Sequence, residues 1–359
     1  LHVKKNVVTQ VETVYAQATA APQVIIYVDQ NGNPVSTTTE MPAQAAATAA
    51  AAVAVAASVN APVAAAAVAV ASAAAVVAQP VAASAAASSV STASSNGFGL
   101  SYNPYNSDGT CKTAAQVLVD FAGFGGSFTT VRTYGIDCNT VPNVLAAAKA
   151  HGMKLFQGIF DINAIESSVQ TIVSAVGGDW SSIHTISVGN ELVNGGQATA
   201  ATVVAAVNKA RSLLRAAGYT GPVVTCDTLI ATLSNPSLCD NSDYCAVNSH
   251  PFFDPNTVAS QAGSFLTTQI ARLKSVLANS AQSIVITETG WPSQGNANGV
   301  AVPSPANQAT AIAAIKSAFT SNPAGVVLFN PYNMHWKASN ANQFNAEPWW
   351  GFLGECPSG

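Results

Sequence analysis

Two stretches decide the fold: Ile183-His184-Thr185-Ile186-Ser187-Val188-Gly189-Asn190-Glu191 and Ile284-Val285-Ile286-Thr287-Glu288-Thr289-Gly290-Trp291-Pro292. Each is a short apolar run rich in β-branched residues, the composition of a buried strand, and each closes on a glutamate just ahead of turn-forming residues. Further runs of this kind begin near Gly97, Val131, Lys154, Pro222, Tyr244 and Val326. Helical periodicity fills the intervals, most clearly at Thr113–Phe124, Val141–Ala150, Ala200–Ala217, Phe265–Leu277 and Ala306–Phe319. Strands alternating with helices at a spacing of about 30 residues predict parallel βα units, and eight such units predict a closed (β/α)8 TIM barrel. A doubly wound nucleotide-binding sheet is the competing α/β reading. Its Gly-rich first turn and the acidic residue that follows are absent from Phe98–Asn106.

The barrel prediction covers residues 96–359, roughly 260 residues and so the usual size of one such domain. Residues 41–95 differ sharply: Met41 to Ser107 carries no charge and is dominated by Ala, Val, Ser and Thr. Residues 41–95 read as a low-complexity linker, expected to be disordered or partly helical, and residues 1–40 as an N-terminal arm of unassigned role. The arm has a turn signal at Gln30-Asn31-Gly32-Asn33-Pro34 but too few large apolar residues to bury a core of its own. The apolar run Val63–Gln79 approaches the length of a membrane span. Its alanines contribute little transfer free energy and charged flanks are missing, so no span is expected.

Net charge is −4 with 8% charged residues, which leaves no basic stripe for phosphates and argues against nucleic acid as a partner. A neutral polar substrate such as carbohydrate fits better. The six cysteines, Cys111, Cys138, Cys226, Cys239, Cys245 and Cys356, form an even set without metal-site spacing. They are expected to form disulfides in an oxidising compartment, with the pairing left open. No metal or other cofactor is expected. The chain opens on Leu1 with no initiator methionine or apolar leader, as expected of a mature secreted protein.

In a barrel, functional groups sit at the C-terminal ends of strands. The barrel region holds only five glutamates, and two of them, Glu191 and Glu288, close the fourth and seventh strands. Cleaving a glycosidic bond with retention requires two carboxyl groups roughly 5–5.5 Å apart, one nucleophilic and one proton-donating. Opposed strand ends supply such a pair. Glutamates that merely cap helices or meet surface lysines would not need Asn190 or the Thr-Glu-Thr-Gly-Trp-Pro setting.

The segments Val188-Gly189-Asn190-Glu191 and Thr287-Glu288-Thr289-Gly290-Trp291-Pro292-Ser293 resemble the two active-site signatures of glycoside hydrolase family 17, the β-1,3-glucanase family. The Ala-rich form resembles the family's fungal cell-wall branch. The likeness runs from about Gly97 to Gly354 and includes Val131-Arg132-Thr133-Tyr134, Asn248-Ser249-His250-Pro251-Phe252-Phe253, Trp336-Lys337 and Glu347-Pro348-Trp349-Trp350-Gly351.

It implies a retaining β-glucan-active enzyme, secreted or wall-associated and monomeric, with Glu191 as acid/base and Glu288 as nucleophile. Asn190 is expected at the sugar 2-hydroxyl. Tyr102 and Tyr134 are candidates to hydrogen-bond the nucleophile or a sugar, with ordinary half-buried barrel tyrosines as the alternative. His250, Phe253, Trp291 and Trp336 are candidates to line the cleft, Phe253 and Trp291 foremost, and Lys337 and Glu347 to hold the charge network around the nucleophile. The family often carries an acidic residue shortly before its Trp-Lys pair, whereas Phe329 to His335 has none and includes Met334. Both hydrolysis and transfer to a second glucan use the same carboxylates. A reading of another class is a wall mannoprotein or adhesin that binds glucan without turnover.

Overall fold

The computed structural model describes residues 97–359 apart from residue 125, together with two strands, Gln23–Val28 and Pro34–Glu40. Those two pair antiparallel, with Gln23 opposite Glu40 and Tyr27 opposite Ser36. They belong to a unit spanning Leu1–Ala85, separate from the unit Ala86–Gly359. The turn signal at residues 30–33 and the low-complexity run at 41–95 lie outside the described residues.

The second unit is a closed barrel of eight strands. In chain order these are β1 (Gly99–Ser101), β2 (Thr130–Arg132), β3 (Lys154–Ile159), β4 (Ile183–Asn190), β5 (Val223–Thr228), β6 (Cys245–Asn248), β7 (Ile284–Thr289) and β8 (Val326–Leu328). Each is parallel to the next, and β8 closes on β1 through Val327 opposite Gly99. Every predicted strand is present, and the barrel is the fold expected from the repeat.

The predicted helices appear as α1 (Ala114–Phe124), α2 (Thr140–Ala150), α4 (Ala200–Ala216), α7 (Ala262–Lys274) and α8 (Pro305–Ala318). The structure adds α3 (Ile165–Val176) and the short α5 (Leu229–Ser234) and α6 (Ser237–Asp240). Local chemistry accounts for the helix ends. Thr199 caps α4 by accepting from Thr202 N, and Ser304 caps α8, with Pro305 in its first turn. In α2 the buried face is Val141, Val144, Leu145 and Ala148, the three-and-four spacing of a helix lying on a sheet. No helix among the described residues is long and apolar enough to cross a membrane.

Two of the three pairs that six cysteines allow are realised, Cys111–Cys138 and Cys239–Cys245. Cys226 and Cys356 remain free thiols, which corrects the expectation that the whole set would pair. Cys226 is in β5, buried among Phe156, Val224, Tyr244 and Ala246.

Candidate active site

Glu191 follows directly on β4. Gly189 (φ 76°) and Glu191 (φ 54°) both adopt left-handed backbone, so the strand end is wound tightly. That conformation costs a non-glycine residue about 1–3 kcal/mol and is kept only where the surroundings impose it. The surroundings are visible here. Glu191 N donates to Cys226 O on β5 (2.9 Å), and the buried carboxylate of Asp227 accepts from Val193 N (2.9 Å), Asn194 N (3.2 Å) and Thr228 N (2.8 Å). Asp227 therefore holds the segment that leaves Glu191.

Glu288 is set by strand register. It lies opposite Asn248 of β6, and Ser249 N donates to its backbone carbonyl (2.9 Å). After Thr289 the chain passes Phe329 of β8's end through Gly290, where a Cβ would collide with the Phe329 carbonyl.

The two carboxyls are joined by one continuous polar network. Arg132, at the end of β2 and 1% exposed, donates from Nη1 to Glu288 Oε1 (2.9 Å), Asn248 Oδ1 (3.1 Å) and Thr287 O (2.8 Å). Its Nη2 donates to Asn190 Oδ1 (2.8 Å). Asn248 Oδ1 also accepts from Thr287 Oγ1 (2.8 Å), while its Nδ2 donates to Asn190 Oδ1 (3.1 Å) and Glu191 Oε1 (2.8 Å). Every contact of Asn248 is consistent with a single orientation of its amide. On the other side, His250 Nε2 lies 3.3 Å from Glu288 Oε2. The guanidinium of Arg132 is flanked by the Tyr134 ring, 4.7 Å from its centroid. Tyr134 also approaches Glu288, although its buried hydroxyl closes no hydrogen bond of good geometry.

The network treats the two carboxyls oppositely. Burial pushes Glu288 up, but the Arg132 charge, followed by His250, outweighs it and holds Glu288 down at about 2. Glu191 is raised above the usual glutamate value by burial and then by the negative charge of Glu288, with the Asn248 bond opposing in part. Near neutrality one group is firmly ionised and the other is biased toward its proton, the division of labour expected of a nucleophile or base beside an acid.

The structure brings Asn190, Glu191, His250, Tyr134 and Glu288 together as anticipated. Tyr102 is a correction: its hydroxyl donates to Asp120 Oδ2 (2.6 Å), and its ring is packed between strand and helix against Phe121. Trp291 is a second. It is wholly buried, donates to Val302 O (3.1 Å) and packs edge-on against Phe252, so no sugar can stack on it. Phe253 is 41% exposed beside His250 and Trp350. Trp336 is half-buried against Tyr105 (4.8 Å between ring centroids). Lys337 and Glu347 pair with each other (2.8 Å), and among the described residues neither is bonded to Glu288. Met334 is buried, its sulfur accepting from Asn103 Nδ2 (3.3 Å).

Arg132, Asn248 and Asp227 carry the site but were not singled out as site residues from the sequence. For Arg132 and Asn248 a signal was present, since both lie in polar or charged positions at predicted strand ends of a barrel with few charges. At the ends of β3 and β4 a hollow of about 600 Å³ is lined by Phe160, Ile162, Leu192 and Gln197 among others, and neither Glu191 nor Glu288 lines it. Among the described residues no group of three or more His, Cys, Asp and Glu is arranged to hold a metal ion.

Residues 99–351 match the BtgE/BtgC glycoside hydrolase domain. The chain is 47% identical over 255 residues to a cell surface mannoprotein of Candida albicans, an alignment covering 70% of this chain and 65% of that protein. It is 48% identical over 257 residues to a probable family 17 glucosidase of Saccharomyces cerevisiae, covering 71% and 64%. The chain thus spans a little under two thirds of the length of these relatives. A crystal structure of a family 17 β-1,3-glucanosyltransferase from Rhizomucor miehei superposes with a TM-score of 0.61 over 72% of this chain and 93% of that one; at 19% identity the likeness is one of fold.

Proposed function

The chain belongs to the BtgE/BtgC glycoside hydrolase family, in line with the family 17 resemblance of its two glutamate motifs, and from that premise we propose that it is a retaining glycosidase acting on β-1,3-glucan. The observation that carries the reading is the opposite protonation bias of two carboxyls linked through Arg132 and Asn248.

In the first step the Glu288 carboxylate attacks the anomeric carbon while Glu191 gives its proton to the departing glycosidic oxygen. Esterification discharges Glu288. The negative charge that raised Glu191 disappears with it, so Glu191 ionises more readily and acts as base for the acceptor in the second step. Arg132 has the converse effect. Its guanidinium loses an anionic partner in the glycosyl intermediate and regains it on release, which favours breakdown of the ester.

Asn190 Oδ1 is already occupied by Arg132 and Asn248, so its NH2 is the group offered to a sugar 2-hydroxyl. The Tyr134 hydroxyl, buried beside Glu288, is placed to support the nucleophile. Phe253 and Trp336 supply apolar ring faces for glucose. A role at the cell surface or wall fits the names of the relatives.

Incubation of the protein with linear β-1,3-gluco-oligosaccharides and separation of the products tests the proposal. Products only shorter than the substrate mean water is the acceptor; longer ones mean transfer to a second glucan. No turnover, together with retained binding, would return the protein to the class of glucan-binding wall proteins.

A further inference from the structure

The C-terminal tail is fastened to the loop between β1 and α1 by a charged cluster that the proposed reaction does not use. Lys112 Nζ donates to Asp120 Oδ2 (2.7 Å) and Ser358 Oγ (2.7 Å), and it stands 2.7 Å from Cys356 Sγ. Lys112 and Asp120 are withdrawn from water. Cys356 Sγ lies 3.0 Å from Asp120 Oδ1. A separation of 2.7 Å is the length of a nitrogen–oxygen hydrogen bond, although sulfur is the bulkier atom.

Cys356 has no thiol partner. Cys111 and Cys138 are joined to each other, as are Cys239 and Cys245, and Cys226 is inside the barrel. Among the described residues, the reactive side chain held against its sulfur is an amine. A cavity of about 20 Å³ touches both Lys112 and Cys356, room for roughly one molecule of water size. The residue preceding Lys112 is itself oxidised, in the Cys111–Cys138 disulfide.

We propose that Lys112 and Cys356 are a redox-reversible modification site, at which one oxygen atom bridges Nζ and Sγ. The co-reactant is dioxygen. The lysine ammonium and the cysteine thiol hold four hydrogens between them. One stays on nitrogen, two leave with one oxygen atom as water and one goes to solvent as a proton, while the second oxygen atom forms the N–O and O–S bonds. Nitrogen and sulfur are each oxidised by two electrons, the four that dioxygen takes up. The Asp120 carboxylate, within hydrogen-bond distance of both reacting atoms, receives and passes on the protons. A thiol reductant supplying four electrons returns the amine, the thiol and water.

The bridge closes the chain between positions 112 and 356. The loop it anchors also carries Tyr105, which packs on Trp336. Oxidation therefore fixes that contact, and reduction releases it.

The test uses the full chain from a secreting host, purified in air without reductant. Its intact mass should exceed that of the chain with two disulfides by about 14 Da, one oxygen gained and two hydrogens lost. Denatured without reductant and treated with a maleimide, it should take one label, at Cys226. A Lys112→Arg variant should take two labels and show no gain in mass. Two labels on the wild-type chain would overturn the proposal. So would a gain of whole oxygen atoms without loss of hydrogen, or a Cys226–Cys356 disulfide. If the variant does not fold, the wild-type mass and label count decide alone.

Discussion

Arg132 donates to Glu288 across 2.9 Å, and both side chains are almost completely withdrawn from water. The contact spans 156 positions of sequence and ties the end of β2 to the end of β7. A buried charge left without its partner costs about 3–5 kcal/mol, so each residue of the pair fixes the ionic state of the other.

Replacing Arg132 by Met removes the largest effect that opposes burial at Glu288 and leaves His250 and Tyr134 to oppose it alone. If activity requires Glu288 ionised and Glu191 protonated, its acid limb follows Glu288 and its alkaline limb follows Glu191. The variant's acid limb should move up by roughly 1–3 pH units, narrowing the bell from the acid side. Profiles of kcat/KM against pH for wild type, Arg132→Met and Arg132→Lys check this. An unmoved acid limb in the Met variant would refute the role given to Arg132.

The same pair makes a statement about folding. Glu288 has a depressed value in the folded state, about 2 against a usual 4.5. Its contribution to stability is therefore present above the unfolded value and lost as pH falls from about 4.5 toward 2. Melting temperatures followed down that window should fall more steeply for wild type than for Glu288→Gln. Parallel curves would contradict the ionic state assigned to the group.

Rescue by azide separates the two glutamates. Glu288→Gly and Glu191→Ala should each lose at least about a thousandfold in kcat on an unactivated glucan. With an activated glucoside and azide, the Glu288 variant should yield a glycosyl azide of inverted configuration and the Glu191 variant one of retained configuration. The reverse outcome, read by NMR of the product, would exchange their roles.

Asn248 is a positioning residue. Its amide bonds Glu191, Asn190, Arg132 and Thr287, so Asn248→Ala should lower kcat by about 10²-fold while KM changes little. The alkaline limb should move further up, because a bond favouring ionised Glu191 is lost. A change confined to KM would mean that Asn248 serves substrate binding instead.

Phe253 and Trp291 should part company. Phe253→Ala should raise KM by about tenfold at nearly constant melting temperature, since an exposed ring contributes on the order of 1 kcal/mol by stacking. Trp291→Ala empties a buried site and should destabilise the chain by about 3–5 kcal/mol. Calorimetry and steady-state kinetics on both variants decide the assignment.

The barrel was legible because its strands and helices are written in local pattern, and the predicted strand starts lie within two residues of those observed or closer. Glu191 and Glu288 were legible because scarcity made their strand-end positions conspicuous. Side-chain direction was not. Tyr102 and Trp291 sit just beyond strand ends, yet one turns toward Asp120 and the other toward Phe252. Arg132 and Asn248 act through partners 116 positions apart, a closeness that barrel closure creates and no local motif announces. Cysteine pairing depends on the same long-range geometry.

Asp227 makes the mouth of the barrel beside the acid a mesh and not a free loop. Its carboxylate grips the chain at Val193 and Asn194, Gly195 N turns back to the Glu191 carbonyl (2.8 Å), and Gln197 N and Ala198 N both donate to Leu192 O (2.9 and 3.1 Å). Residues 191–198 therefore move as one piece with the wound backbone at Glu191, and an insertion inside that span carries its shift to the acid. The wall of the hollow that Gln197 contributes is built into the same frame that aims the acid.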